Sequence, residues 1–429
     1  MTHRVVGPTG PLRGELVVPG DKSVSHRAFL LSALADGPSR VRGVLRSADV
    51  DATRRAVEAM GVSVEADGQA WVIRPPPTLR EPADVLDCGN AGTAIRLLAG
   101  VVAAEPWWAV LTGDESLRSR PMGRVVRPLR AMGAVIEGRS GGDRAPLAVR
   151  GGALRPTDHV LDIASAQVKS ACLLAGRRVG VSVTEPARSR DHTERMLRAM
   201  GADVRVAAGT VRLGPTDRLS PVDVDVPGDP SSAAFWAVAG SIVEGSEIVL
   251  RGVGVNPTRT GAFDALRQMG ADVTILPRAW PGAEPVADVV VRTAPLRGIR
   301  IDGELALRAL DELPVLAVAA AFAEGETVIA DAAELRVKES DRVARVVAGL
   351  RALGVEAEER PDGMRIVGGA PRGPATIDAR GDHRIAMAFA VAAAAGHGEL
   401  TLLDAAQVET SYPTFFADRE ALRADRHRH

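Results

Sequence analysis

The sequence predicts an α/β protein of two similar globular domains, and three observations support this fold class. A phrase ending in Met-Gly or Leu-Gly closes an amphipathic helix five times, about 70 residues apart. Six further helical segments are apolar on nearly every face, and a strand-like run follows each one. Because a helix that is apolar all round is buried, we expect three buried parallel helices wrapped by sheet in each domain, rather than an extended solenoid.

Each repeat is predicted to contain a buried helix, a strand, an amphipathic helix and closing strands. The glycines that end the amphipathic helices supply a left-handed turn; they are Gly61, Gly133, Gly201, Gly270 and Gly354. The buried helices are predicted at Ser25–Ala35, Gly92–Ala104, Ala166–Gly176, Ser231–Val243, Leu313–Ala323 and Ile385–Ala395. The strands that follow are predicted at Val41–Val44, Ala109–Thr112, Val181–Thr184, Glu247–Leu250, Thr327–Ala330 and Leu400–Leu403.

Two Pro-Gly-Asp turns, at Pro19–Asp21 and Pro227–Asp229, divide the six repeats into two sets of three. We therefore expect one domain over residues 21–226 and a second, discontinuous domain from residues 1–20 plus 227–429. The sixth repeat has an amphipathic helix at 413–424 but no closing strands after it, so strands within Val5–Val18 are expected to complete it. A Pro-rich insertion over 277–295 predicts a longer hairpin or surface loop.

Composition excludes several classes of function. The net charge of −1 provides no basic field for nucleic acid or a membrane surface, and 3% aromatic residues are too few for a base-stacking platform. There is no signal peptide and no apolar run long enough to cross a membrane, so we expect a cytoplasmic protein. Cys88 and Cys172 lack metal-type spacing and are interpreted as reduced thiols.

Polar groups that packing does not require lie in the turns before the buried helices. The first turn, PGDKSVSHR over residues 19–27, carries Lys22, Ser23 and Arg27. Alone, it is equally typical of a capped helix with solvated charges and of an anion site at a helix N-terminus. The corresponding polar turns of the other repeats are Gly89–Arg96, Ala164–Lys169, Pro227–Ser232, Asp311–Glu312 and Gly381–Arg384.

Charged loops after the outer strands form a second set, at Ser116–Gly123, Ser189–Glu194 and Arg336–Arg342. Each one taken singly could be a solvated loop or a helix start. Together, the arginines and lysines predict a substrate with more than one anionic group, and Asp311 and Glu339 could transfer protons. The sequence has no P-loop, dinucleotide fingerprint, zinc-protease motif or nucleophile elbow, so ATP-driven transfer and nicotinamide redox are poorly supported.

These motifs follow one another along essentially the whole chain. Their residues and their order resemble those of the 3-phosphoshikimate 1-carboxyvinyltransferase family. The resemblance implies two domains of three βαβαββ repeats each, inside-out α/β barrels that close on a cleft. It also implies that phosphoenolpyruvate and shikimate 3-phosphate react by addition and elimination, with no metal and no organic cofactor. We expect a monomer that binds these two small molecules and neither nucleic acid nor membrane.

The resemblance implies a role for individual residues. Those that would bind shikimate 3-phosphate are Lys22, Ser23, Arg27, Ser165, Ala166, Gln167, Arg190, Asp311 and Lys338. Those that would bind phosphoenolpyruvate are Lys22, Gly92, Arg120, Gln167, Arg342 and Arg384. Asp311 would be the base for the 5-hydroxyl group, and Glu339, together with Lys22, would handle the proton at C3 of phosphoenolpyruvate.

Three positions depart from the pattern of many family members, which have serine, asparagine and lysine where this chain has Ala166, Glu334 and Thr410. The subgroup that shares this chain's residues is often less sensitive to glyphosate, so we expect reduced sensitivity here. Gly92 points the other way, because a larger residue at this position is one route to tolerance.

Two alternative functions remain. The sister enolpyruvyl transferase that acts on UDP-N-acetylglucosamine usually carries a catalytic cysteine on a mobile loop, whereas Ser116–Pro121 contains arginines and no cysteine. A non-catalytic phosphometabolite-binding relative would keep the arginines but could lose Lys22, Asp311 or Glu339, which are all present. A nucleic-acid-binding or phosphate-cyclising relative is disfavoured by the neutral charge and the few aromatic residues.

Overall fold

The computed structural model describes residues 3–423. Within them the strands are β1 His3–Val6, β2 Arg13–Leu16, β3 Ser39–Arg42, β4 Ser63–Asp67, β5 Ala70–Arg74, β6 Leu86–Asp87, β7 Trp108–Thr112, β8 Val135–Gly138, β9 Arg144–Arg150, β10 Thr157–Val160, β11 Val181–Thr184, β12 Val204–Ala207, β13 Thr210–Leu213, β14 Val224–Asp225, β15 Glu247–Gly254, β16 Asp272–Arg278, β17 Val286–Arg292, β18 Arg300–Ile301, β19 Glu326–Ile329, β20 Glu356–Arg360, β21 Gly363–Val367, β22 Ala375–Asp378 and β23 Leu400–Leu403.

The helices of the same residues are α1 Lys22–Ser32, α2 Ala48–Ala59, α3 Gly92–Ala103, α4 Glu115–Ser119, α5 Gly123–Met132, α6 Arg139–Gly142, α7 Ala166–Gly176, α8 His192–Ala199, α9 Pro230–Ile242, α10 Gly261–Gln268, α11 Gly303–Arg308, α12 Leu313–Ala321, α13 Arg342–Ala352, α14 His383–Ala395 and α15 Phe415–Ala421. Two 3-10 helices lie at Ala333–Val337 and Ala405–Thr410. The predicted helix at 413–424 is shorter than expected, and its last residue lies outside the described residues.

The described chain divides into two compact units. The N-terminal unit contains residues 20–226 and the short segment Trp280–Glu284. The C-terminal unit contains residues 3–19, 227–279 and 285–423. The predicted surface hairpin over 277–295 is formed by the ends of β16 and β17, but the segment at its tip packs with the N-terminal unit.

The N-terminal unit contains three four-stranded sheets of one pattern, in the orders β14-β3-β5-β4, β6-β7-β9-β8 and β10-β11-β13-β12. In each sheet the first pair is parallel and the other two pairs are antiparallel. The helices α1, α3 and α7 connect or precede these strands and are buried along most of their length. The three buried helices predicted for this half are therefore confirmed, with ends shifted by at most a few residues.

The C-terminal unit repeats this pattern in the sheets β2-β15-β17-β16 and β18-β19-β21-β20, written from the parallel pair outward. Its third sheet has the order β1-β23-β22, with β1 antiparallel to β23. The helices α9, α12 and α14 are buried, as predicted.

The N-terminal strands are divided between two repeats. The expectation that they complete the sixth repeat is confirmed for β1 and wrong for β2, which pairs in parallel with β15 of the fourth repeat. Parallel neighbours need a long crossover between them, so the leading strand of a repeat can come from a distant part of the chain. In the first repeat the same position is filled by β14, near the end of the N-terminal half.

Small residues allow the buried helices to approach each other closely. A Cβ atom placed on Gly100 of α3 would lie 2.3 Å from the carbonyl oxygen of Ala171 in α7. The two backbones therefore touch with no side chain between them. The five glycines that end the amphipathic helices all have positive φ, between 75° at Gly354 and 113° at Gly133, which confirms the left-handed turns predicted from the repeat.

Gly100→Ala is expected to lower the free energy of unfolding by about 1–3 kcal/mol, because the added methyl group meets backbone that no rotamer change can move. The loss should exceed the gain of up to about 1 kcal/mol that alanine brings to a helix interior. Denaturant unfolding followed by circular dichroism measures it. The control is Gly214→Ala, whose Cβ would make only ordinary contacts at 3.4 Å or more; equal stability of the two variants would contradict the close approach.

Candidate functional site

In the N-terminal unit, the first residues of α1 are fixed by two aspartates. Asp21 caps the helix by accepting a hydrogen bond from Val24 N at 2.9 Å. Lys22 forms an ion pair with Asp49 in the first turn of α2, and Asp49 is buried whereas Lys22 is one-quarter exposed. The ammonium group of Lys22 is therefore oriented by a buried carboxylate and still reaches the surface.

Arg27 lies one turn further along α1 and is buried among α1, α7 and α8. Its Nε donates to Thr193 Oγ1 at 2.7 Å and its Nη2 to Ser170 Oγ at 3.0 Å, while Nη1 donates to the carbonyl oxygen of Ser23 at 3.0 Å. Burial lowers the pKa of Arg27 to about 10, although neighbouring Glu194 acts in the opposite direction. The guanidinium group is thus charged at neutral pH and held in one orientation by three protein acceptors.

At the start of α3, two arginines and a glutamine form a connected group. Arg96 Nη1 donates to Gln167 Oε1 at 2.8 Å, and Gln167 Nε2 donates to Thr93 Oγ1 at 3.0 Å. Arg120 contacts the side chain and the carbonyl oxygen of Asn90. These bonds bring the predicted residues Gln167 and Arg120 to the same helix start from two different repeats.

Gly92, the first residue of α3, provides the space for both guanidinium groups. A Cβ atom at this position would lie 2.9 Å from Arg96 Nη1 and 3.2 Å from Arg120 Nη1. Any larger residue would push at least one of the two arginines away from the helix start. The sequence assigned Arg120 and Gly92 to phosphoenolpyruvate, and it placed Arg96 in the same polar turn as Gly92 without assigning it a substrate.

The remaining predicted residues of this unit lie at the starts of α7 and α8. Ser165 caps α7 by accepting from Val168 N at 3.4 Å, and Ala166 is the first residue of the helix. Arg190 lies just before α8, and its charge contributes to lowering the pKa of Arg27, so the two guanidinium groups are neighbours.

In the C-terminal unit, Arg342 is the centre of a carboxylate cluster. Its side chain is 1% exposed. Nε donates to Asp382 Oδ2 at 2.8 Å, Nη2 donates to Glu339 Oε2 at 2.6 Å, and Nη1 lies 3.5 Å from Asp311 Oδ1. Three predicted residues, Asp311, Glu339 and Arg342, are therefore in direct contact, although 31 positions of sequence separate the first from the last.

Lys338 and Arg384 complete this cluster. Lys338 Nζ lies 3.6 Å from Asp311 Oδ1. Arg384 Nη1 donates to the carbonyl oxygen of Asp311 at 2.8 Å and lies 3.6 Å from Glu312 Oε1. Asp311 Oδ1 thus lies near two cations, and the backbone carbonyl of Asp311 accepts a hydrogen bond from a third.

Asp382 and Arg342 stabilise each other's charged forms. Burial alone would lower the pKa of Arg342, but the carboxylates of Asp382 and Glu339 outweigh it and raise this pKa above the ordinary value. Burial would raise the pKa of Asp382, but the charge of Arg342 lowers it below the ordinary value. Asp382 also caps α14 through Arg384 N at 3.0 Å, so the pair fixes the helix start as well.

The sequence prediction did not include Asp49, Asp382 or Arg259 among the site residues. Asp49 and Asp382 have a detectable signal, because both lie in the first turn or at the cap of a helix. Arg259 has none: it is buried beside Asp229 and Ser231, and Ser231 in turn donates to Glu312. A side chain that is polar and fully buried is not distinguishable in sequence from one on the surface.

The helix starts are less open to an external anion than the sequence indicated. Asp21, Ser165, Asp229 and Asp382 cap their own helices, each accepting a backbone N–H. At the start of α3 the cap position is Ala91, which makes no side-chain hydrogen bond to the helix. Among the buried helices of the N-terminal unit, α3 therefore presents the helix start least occupied by its own chain.

Two positions that depart from the common family pattern lie in short 3-10 helices. Glu334 is in the helix Ala333–Val337, and Thr410 is the last residue of Ala405–Thr410. The hydroxyl of Thr410 donates to the carbonyl oxygen of Gln407 at 2.6 Å. In the described part of the chain, no helix has the length and hydropathy needed for a membrane span, and no group of three His, Cys, Asp or Glu side chains could hold a metal ion.

Comparisons with known proteins match nearly the whole chain. Residues 6–418 match the family described as EPSP synthase (3-phosphoshikimate 1-carboxyvinyltransferase). A 3-phosphoshikimate 1-carboxyvinyltransferase of Roseiflexus castenholzii is 53% identical over 424 residues, which cover 97% of this chain and 98% of that protein. Another, from Anaeromyxobacter sp. strain Fw109-5, is 53% identical over 95% of each chain.

Solved structures give the same result for the fold. The EPSP synthase of Acinetobacter baumannii superposes with a TM-score of 0.88 at 41% identity, over 98% of both chains. The enolpyruvyl transferase NikO from Streptomyces tendae superposes with a TM-score of 0.78 at 21% identity, over 98% of this chain and 97% of that one, and shows the shared fold alone.

Asp382→Asn is expected to lower the free energy of unfolding at neutral pH by about 3–5 kcal/mol, because it leaves the buried Arg342 without its main partner. The pKa of Asp382 is lowered in the folded state, so the stabilisation is present above the unfolded-state pKa of about 3.9 and is lost as the pH falls through the lower folded-state value.

Denaturant titrations between about pH 3 and pH 7 measure this difference, which should shrink toward the acidic end of the range. The control is Asp378→Asn, which removes an aspartate that is 38% exposed and should cost less than about 1 kcal/mol. If the free energy of unfolding lost in Asp382→Asn does not change with pH, the loss does not come from the charge of Asp382.

Proposed function

Because the chain belongs to the EPSP synthase (3-phosphoshikimate 1-carboxyvinyltransferase) family, we propose that it transfers the enolpyruvyl group of phosphoenolpyruvate to the 5-hydroxyl group of shikimate 3-phosphate and releases phosphate. The observation that carries this proposal is the 53% identity to curated relatives over nearly the full length. The matched residues 6–418 include the connected group at the start of α3 and the carboxylate cluster around Arg342.

The basic side chains suit two substrates that carry phosphate and carboxylate groups. Arg120 and Gln167 at the start of α3, with Gly92, are proposed to bind phosphoenolpyruvate together with Lys22, Arg342 and Arg384. Shikimate 3-phosphate is proposed to bind the residues at the starts of α1, α7 and α8; they are Lys22, Ser23, Arg27, Ser165, Ala166, Gln167 and Arg190, with Asp311 and Lys338 from the C-terminal unit. Guanidinium groups favour such ligands because they bind oxyanions with two parallel hydrogen bonds.

The proposed reaction needs one base and one proton donor. Asp311 removes the proton from the 5-hydroxyl group, whose oxygen then bonds to C2 of phosphoenolpyruvate while C3 gains a proton from Glu339 or Lys22. In the second step the group that donated this proton, Glu339 or Lys22, removes one of the protons of the C3 methyl group, the C2–O bond to phosphate breaks, and the enol ether forms as phosphate leaves. Lys338 Nζ at 3.6 Å and Arg342 Nη1 at 3.5 Å orient the Asp311 carboxylate for the first step.

Lys22 lies in the N-terminal unit, and Asp311 and Glu339 lie in the C-terminal unit. We propose that the two units are the functional domains, and that the chain acts as a monomer in the cytoplasm without a metal or an organic cofactor.

The alternative, a transferase acting on UDP-N-acetylglucosamine, has less support. Its sister family usually has a cysteine in the segment that corresponds to Ser116–Pro121, and here that segment forms α4 and positions Arg120. The two cysteines of this chain are buried, and burial raises the pKa of Cys172 to about 12 and that of Cys88 further. Neither thiol is suited to proton transfer or nucleophilic attack at neutral pH.

The proposed function is tested by measuring phosphate release from phosphoenolpyruvate in the presence of shikimate 3-phosphate, and separately in the presence of UDP-N-acetylglucosamine. Turnover with the first acceptor alone is the expected result. Turnover with the second alone would establish the alternative, and binding of shikimate 3-phosphate without any turnover would indicate a binding protein.

Asp311→Asn is expected to lower kcat by about 10²–10⁴-fold, because the amide cannot accept the hydroxyl proton. Affinity for shikimate 3-phosphate, measured by calorimetry, should change little, since the side chain keeps its size. Asp272→Asn, which alters an exposed aspartate in the same unit, is the control and should leave kcat unchanged. An Asp311→Asn enzyme with normal kcat would remove this residue from the mechanism.

Gly92→Ala is expected to raise the KM for phosphoenolpyruvate about tenfold, the change that corresponds to about 1.4 kcal/mol of lost binding. The added methyl group displaces the guanidinium ends of Arg96 or Arg120, which can move without unfolding the helix. Steady-state kinetics with each substrate varied in turn should show a smaller change in the KM for shikimate 3-phosphate. An unchanged KM for phosphoenolpyruvate would place its site elsewhere, and Gly214→Ala is the control.

A further inference from the structure

Glu185 connects two segments that are proposed to bind shikimate 3-phosphate. Ser165 N donates to Glu185 Oε1 at 3.1 Å, and Ser189 Oγ donates to the same oxygen at 2.6 Å. Ser165 begins the segment that continues to Gln167, and Ser189 precedes Arg190. A single carboxylate oxygen therefore holds both segments, although neither the repeat nor the family resemblance identified Glu185.

The second oxygen of Glu185 is held by a buried lysine. Lys169 Nζ lies 2.7 Å from Glu185 Oε2 and 2.7 Å from Glu194 Oε1. The side chains of all three residues are at most 3% exposed. Burial alone would lower the pKa of Lys169, but the charges of Glu194 and Glu185 outweigh it and raise this pKa, so the ammonium group remains charged.

Stability alone gives a weak reason for such a cluster. Removing charges from water is costly, and a buried ion pair can often be replaced by apolar side chains at little or no loss of stability. Lys169 is the one cation among these three residues, and the buried Arg27 lies near Glu194 as a second. What the polar groups provide, and apolar groups could not, is a set of directed bonds to Ser165 and Ser189.

A second buried glutamate in the same unit offers a direct comparison. Glu105 forms ion pairs with Arg177 at 2.6 Å and Arg178 at 3.2 Å, at the C-terminal ends of α3 and α7. Its side chain is as buried as that of Glu185. Neither Arg177 nor Arg178 is among the residues proposed to contact a substrate, so removal of the Glu105 charge should affect stability alone.

We propose that Glu185 is a positioning residue for shikimate 3-phosphate: with Lys169 fixing its carboxylate, it keeps the Ser165–Gln167 segment and Arg190 in the arrangement that binds this substrate. The inference rests on the proposed function and adds a residue that acts through others rather than by touching the substrate. Its effect on phosphoenolpyruvate should be smaller, because Gln167 is the one residue of the held segment that is also proposed to bind that substrate, and the bonds of Glu185 reach neither Gly92 nor Arg120.

Glu185→Gln tests this role, since the amide keeps the size of the side chain but loses the charge that Lys169 pairs with. We expect the KM for shikimate 3-phosphate to rise about tenfold, with a smaller rise in the KM for phosphoenolpyruvate and with kcat changed by less than about twofold. Glu105→Gln is the matched control and should leave both KM values unchanged. Circular dichroism establishes that each variant is folded at the assay temperature.

Ser189→Ala is a second variant in case Glu185→Gln does not fold, because it removes one buried hydroxyl bond to Glu185 and no charge. It should raise the KM for shikimate 3-phosphate in the same selective manner, by a smaller factor. If the wild-type enzyme is active and the folded variants have the same KM values as the wild type, this inference is wrong and the proposed function is not affected. A folded wild-type protein without turnover would instead overturn the proposed function, and this inference with it.

Discussion

Each compact unit must bury three helices that are apolar on nearly every face, and the rest of the structure depends on this constraint. The helices can share one core only because small residues let them touch, as Gly100 and Ala171 do. Most polar residues of these helices lie in their first two turns and in the turns that precede them. Both charge clusters lie at such starts: Arg120 and Gln167 near α3, and Arg342 with Asp382 beside α14.

Much of this architecture is predictable from the sequence because the constraint is periodic. All-round apolar helices and left-handed glycine turns leave a pattern at every repeat, and the observed α7 and β11 have the predicted bounds. The partner of β2 is not predictable in the same way, since a parallel neighbour can come from a distant part of the chain. The charged loop predicted at Ser116–Gly123 begins within a helix, because α4 covers Glu115–Ser119 and Asp114 caps it.

The candidate site was predictable as a set of residues, but not as a set of contacts. Motif order identified Lys22, Asp311 and Arg342. Asp49 and Asp382 lie at helix starts, but only the structure shows that they pair with Lys22 and Arg342. Glu185 illustrates the same limit, because its importance lies in bonds to residues 20 positions before and 4 positions after it. The charged groups are thus held by bonds within the protein, which reduces the reorganisation that the reaction requires.

The central claim, that carboxylates and lysine move protons in an addition and elimination at C2 and C3 of phosphoenolpyruvate, is tested most directly by running the reaction in D2O. Proton NMR of the product then reports the isotope at the vinyl carbon. If C3 is protonated from a solvent-exchanging acid such as Glu339 or Lys22 and later loses a proton, the vinyl group of the product carries deuterium. A product formed at full rate without deuterium at this carbon would contradict the account.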